Sequence, residues 1–155
     1  MTLNVLTLLL HALFATIWVG GMFFAYMALR PVAASQLEPP QRLTLWVGVF
    51  SKFFPYVWLA VFLLPLTGYL MIFSIWGGFA GVPLYIHIMQ GLGIVMILIY
   101  LHVFFAPFRR LKNAVAAKDW AAGGKSLNQI RQLIMINLII GLAVVAIASG
   151  GRYFG

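Results

Sequence analysis

Three histidines, His11, His87 and His102, lie inside long apolar stretches of a chain that has no cysteine. A polar side chain at membrane depth is unfavourable unless it is paired, so each imidazole is a candidate functional group. Imidazole ligates haem iron, copper and zinc. The lack of thiols excludes disulfides, thiolate metal sites and iron–sulfur clusters. His87 and His102 stand roughly 22 Å apart along one helix and cannot share an ion. His11 and His87 are a different case. Measured from the end that the charge distribution places outside, they lie roughly 10 Å and roughly 5 Å deep. That matched depth makes them candidate ligands of one haem held between two helices, with His102 a separate candidate metal ligand. Ala15 and Gly91 each follow a histidine by one turn and leave room for a flat macrocycle. Trp18 and Met22 continue the His11 face. Arg152, with Tyr85 and Tyr153, sits at the outer rim, where carboxylates of a bound cofactor would emerge. The plainer role for these histidines, and for Gln90 and Asn137, is hydrogen bonding between helices.

The elements that must position these groups are membrane spans. Apolar residues make up 64% of the 155 and charged residues only 8%, so lipid is the solvent for most of the chain. Four apolar stretches, at about 3–29, 53–76, 84–108 and 133–150, are each close to the roughly 20 residues that cross a bilayer core. The expected fold is an all-α integral membrane four-helix bundle forming a single domain. The first stretch follows directly on Met1 with no basic segment before it, and reads as a retained span. Between the first two spans, Trp46, Val49, Phe50 and Phe53 have helical spacing, which predicts an amphipathic interfacial helix bending into the second span. Pro55 and Pro65 are expected to kink that span. In the third connection, Gly123-Gly124 reads as a turn, with re-entry at a Ser126 cap.

Charge orients the bundle. Nine of the ten Lys and Arg residues fall in or beside the connections at 30–52 and 109–132, and Arg152 is the exception. The positive-inside rule then places those loops in the cytoplasm and both termini on the periplasmic side of a bacterial inner membrane. Basic residues confined to short loops argue against nucleic acid as a partner. No Asp, Glu, Lys or Arg occupies the middle of a span, which argues against an ion-coupled transporter.

The run Leu10-His11-Ala12-Leu13-Phe14-Ala15-Thr16-Ile17-Trp18-Val19-Gly20-Gly21-Met22 resembles the first-helix motif, His followed by Trp-x-Gly, of the CopD-like membrane proteins. It is also similar to that of the related bacterial membrane-bound protoporphyrinogen oxidases. Tyr85-Ile86-His87, Tyr100-Leu101-His102 and Arg109-Arg110-Leu111 extend the likeness to the third span. The resemblance implies a membrane bundle with His11 and His87 as haem ligands, or one that handles copper. The oxidases carry a lysine two residues after the third-span histidine, where this chain has Met89.

These features lead to a first expectation: a haem b protein with an electron-transfer or redox role, served by a redox partner. The alternative is copper homeostasis through His and Met side chains, since thioether sulfur suits copper(I). A third reading is a cofactor-free assembly partner. Four short helices enclose little interior, so self-association is a further expectation.

Overall fold

The computed structural model describes residues 2–153, with the side chains of Thr2 and Arg152 outside that description. Every regular element among these residues is helical. Helix α1 (Thr2–Phe24) passes through a π-helical segment, Ala25–Leu29, into α2 (Arg30–Gln36). Helix α3 (Pro39–Trp76) follows, then α4 (Leu84–Phe105), α5 (Pro107–Ala116) and α6 (Trp120–Gly150). Four helical stretches are long and apolar enough to cross a membrane: Leu3–Gln36, Pro39–Trp76, Leu84–Ala116 and Trp120–Gly150. Large apolar side chains such as Leu9, Phe24, Phe62, Leu84, Leu98 and Ile139 point outwards. In water such a surface would drive aggregation; facing lipid it costs nothing.

The first helix does not stop at Arg30-Pro31. Proline lacks an N–H and its ring clashes with the carbonyl one turn earlier. The chain meets this by widening one turn. The Arg30 N–H donates to the Ala25 carbonyl, one residue further back than in an α-helix. The Arg30 Nε then donates to the Tyr26 carbonyl at 3.3 Å, the acceptor that Pro31 cannot serve. Helix therefore continues to Gln36.

Helix α3 is continuous through Pro55 and Pro65, so the amphipathic segment and the second span are one helix. It ends at Gly77, whose φ of 67° is the left-handed conformation that lets a helix stop. The third span breaks earlier than the sequence predicts, at Ala106, because Pro107 opens a new helix there.

Gly123-Gly124 is not a turn and Ser126 is not a cap; both lie inside α6. The turn comes earlier, and Asp119 caps the helix by accepting from the Ala122 N–H at 3.1 Å. Gly123 serves packing instead. A Cβ there would sit 3.0 Å from Leu43 Cδ1 and 3.6 Å from Ala114 Cβ, so α6 closes tightly on α3 and α5. Asp119→Ala is expected to cost about 1 kcal/mol of stability by removing the cap. Thermal unfolding in detergent, compared with the conservative Asp119→Asn, checks it.

Helix α1 packs most extensively on α3, and α4 and α5 on α6. The backbones of α1 and α4 stay apart, and side chains bridge them. Trp18 meets Tyr100 edge to face at 6.1 Å. Around Tyr100 an aromatic cluster of Phe50, Phe54, Trp58, Phe104 and Phe108 joins α3 to α4 and α5. The same core continues into the basic half through Leu43, Trp46, Leu111 and Ile130, all buried.

Candidate functional site

Among the described residues, His11 is the one histidine of the three held by a side-chain hydrogen bond. Its Nδ1 lies 2.8 Å from the Thr67 Oγ1, across the α1–α3 seam. The register of that seam is pinned further out, where the Ser74 hydroxyl donates to Asn4 Oδ1 at 2.8 Å. Two residues before Thr67, Pro65 interrupts the α3 hydrogen-bond ladder, and the Thr67 hydroxyl turns back onto its own helix. It donates to the Leu63 carbonyl at 2.6 Å, with Leu64 O at 3.2 Å.

That geometry sets the tautomer of His11. The single hydroxyl proton of Thr67 is used on the Leu63 carbonyl, so its oxygen accepts from His11. The imidazole therefore carries its proton on Nδ1 and leaves Nε2 bare. This is the arrangement by which a second-shell acceptor prepares a histidine for metal ligation. The ring lies beside the small residue Gly68, with 3.5 Å between its Cε1 and a Cβ built there. Met71 follows Thr67 by one turn on the same face of α3.

His87 occupies a different place. It is exposed and stacks on Phe79 at 6.5 Å. Phe79 in turn meets Tyr69 and Phe73 at 6.1 Å and 5.7 Å. At 100° per residue, Tyr69 and Phe73 lie on the side of α3 opposite Thr67. Gln90 Nε2 also donates to the Tyr69 hydroxyl at 3.1 Å. His11 and His87 therefore flank opposite faces of α3, and the structure does not bring the expected ligand pair together. His102 is exposed in the last turn of α4, away from both. Among the described residues no group of three or more His, Cys, Asp or Glu side chains comes together.

The other predicted neighbours divide in the same way. Ala15 is half-buried and Trp18 buried on the His11 face, with Met22 buried one turn further in. Gly91 is exposed and its Cβ position is open. The Arg152 side chain lies outside the described residues. Beneath the His11 face is a cavity of about 1050 Å³ whose lining includes Trp18, Met22, Phe53, Tyr100 and Asn137. Asn137 is 3% exposed; its Nδ2 donates to the Met96 carbonyl at 3.3 Å, bridging α6 to α4. Its Oδ1 has no partner among the described residues.

Thr67 escaped sequence reasoning. Its signal was a hydroxyl and a glycine in succession, Thr67-Gly68, just after Pro65 in an otherwise apolar span. Small and hydroxylated residues mark close helix contacts in membranes.

Comparison with known proteins gives the context for this site. The family described as CopD, copper resistance protein D, matches residues 47–150. A protein of Aquifex aeolicus (strain VF5), described as "Uncharacterized protein", is 33% identical over 135 residues, covering 86% of this chain and 90% of that one. No solved structure matches. Four apolar spans and the family match make it a multi-pass membrane protein, and the chain belongs to the copper resistance protein D family.

Proposed function

We propose that this protein handles copper in the bacterial cytoplasmic membrane, with His11 as the ligand that receives copper(I). Family membership supports copper as the cargo. The observation that carries the site is the His11–Thr67 hydrogen bond, which fixes the ring and leaves Nε2 free as a donor. Copper(I) favours soft ligands, and with no cysteine in the chain methionine sulfur is the soft donor at hand. Met71 stands one turn from Thr67 on the same side of α3. Met22 lies further down the His11 face, at the cavity, and offers a second thioether for inward passage.

The same charge asymmetry that marks the Arg30 and Arg109 ends as cytoplasmic makes the His11 end periplasmic. Copper(I) then meets His11 from the outer side, and its oxidation state does not change. A haem bridged by His11 and His87 is disfavoured, because the two rings flank opposite faces of α3.

The experiment is metal analysis of purified protein exposed to copper(I) under reducing conditions and then desalted. Retained copper without a Soret or α band is the expected result. Background copper, or haem bands in protein expressed with ample haem, would overturn the reading.

A further inference from the structure

A second cavity, of about 330 Å³, opens at the basic end of the bundle. Three arginines from three different helices line it: Arg30 of α2, Arg42 of α3 and Arg131 of α6. Tyr26, Trp46 and Trp120 form its aromatic walls. The chain has only two acidic residues, and Asp119 is used as a helix cap. None of the three guanidiniums is ion-paired among the described residues.

Their existing contacts position them without neutralising them. Arg30 lies 4.5 Å over the Tyr26 ring and spends its Nε on the Tyr26 carbonyl, leaving its two terminal nitrogens. That carbonyl is free because of the π-helical turn and Pro31, so the irregular backbone at Ala25–Leu29 directly sets the Arg30 side chain. A π-turn inside a helix is often found at a functional site. Arg42 Nη1 reaches the Ala34 carbonyl at 3.5 Å, and Arg131 has no partner among the described residues. Three like charges on one small cavity repel one another unless an anion joins them. Guanidinium forks match phosphate oxygens in geometry as well as charge. Tryptophan and tyrosine walls are the surfaces found at the level of lipid headgroups.

We propose that this cavity is a binding site for a phosphate group, supplied by an anionic phospholipid headgroup or by a small soluble phosphate. The site is independent of the copper reading and lies at the other end of the bundle from His11.

The test uses the full chain in neutral detergent. Thermal unfolding and apparent affinity are measured with phosphatidylglycerol, with diacylglycerol of the same acyl chains, and with inorganic phosphate. Saturable stabilisation by phosphatidylglycerol but not by diacylglycerol is expected. A matching response to inorganic phosphate identifies a soluble ligand; its absence identifies the headgroup. Arg131→Gln is expected to weaken the apparent affinity about tenfold, the loss of one charge-assisted contact. Arg109→Gln, on α5 outside the cavity, is expected to leave it unchanged, and both variants to retain copper as the unaltered protein does. Equal weakening by Arg109→Gln and Arg131→Gln would overturn the proposal in favour of general surface charge. So would no response to either phosphatidylglycerol or phosphate.

Discussion

Replacing His11 by alanine is expected to reduce copper(I) retention to the level of a protein without a site. Thr67→Val, which keeps the shape of the side chain but removes the hydroxyl, is expected to weaken copper(I) binding about 10–100-fold, the usual effect of losing a second-shell partner. The two effects share one cause. His11 supplies the Nε2 donor, and Thr67 holds the ring in the tautomer that exposes it. His87→Ala and His102→Ala are expected to leave affinity unchanged, since both side chains are exposed and neither shares the α1–α3 seam. Competition against a chromogenic copper(I) chelator measures all four variants. Folding is not the confounding factor. An interhelical hydrogen bond in a membrane is worth about 0.6 kcal/mol on average, and the Thr67 hydroxyl keeps its Leu63 partner when His11 is gone. A His11→Ala protein that unfolds at the same temperature but has lost copper separates ligation from stability.

The largest stability effect is expected at Phe54. Its ring is 4% exposed and meets four others: Phe50 at 5.1 Å, Tyr100 at 5.4 Å, Phe104 at 6.0 Å and Phe108 at 4.8 Å. Such pairs contribute about 0.5–1.5 kcal/mol each beyond area burial. Phe→Ala in a packed core costs about 3–5 kcal/mol through lost contacts and the cavity left behind. In lipid, helices gain little from hiding apolar surface, so ring packing carries more of the association between α3 and α4. That matters here because the α3 and α4 backbones do not pack closely, and the aromatic cluster spans the gap. Phe54→Ala is therefore expected to destabilise by about 3 kcal/mol, and Phe54→Leu by clearly less. Reversible unfolding in mixed detergent micelles, followed by tryptophan fluorescence, reports both. Tyr100 shares this cluster and donates its hydroxyl to the Phe54 carbonyl at 3.2 Å, so the two positions should couple in a double-mutant cycle.

The all-helical architecture and its four spans were legible because length and hydropathy suffice for them. Rotation about the helix axis was not. A span that is apolar on every side has no polar face to show which residues meet a neighbour. His87 and His11 could thus be placed at similar levels, but nothing in the pattern showed that α3 would stand between them. The short connection after α3 looked featureless, yet its Phe79 is the ring against which His87 rests. Three boundaries moved for local reasons, one of them at Ala106, where Pro107 opens a new helix. Pro31 was absorbed by a π-turn and did not end its helix. Asp119 competed with Gly123-Gly124 as the signal for the last helix start; the capping carboxylate set it, and Gly123 serves close packing instead.

The copper site at His11 is tested most directly by X-ray absorption at the copper edge on protein loaded with copper(I). A first shell containing one imidazole nitrogen together with thioether sulfur is expected, with the bound copper lost in His11→Ala and the same shell kept in His87→Ala. A shell that keeps its imidazole in His11→Ala and loses it in His87→Ala would contradict the account.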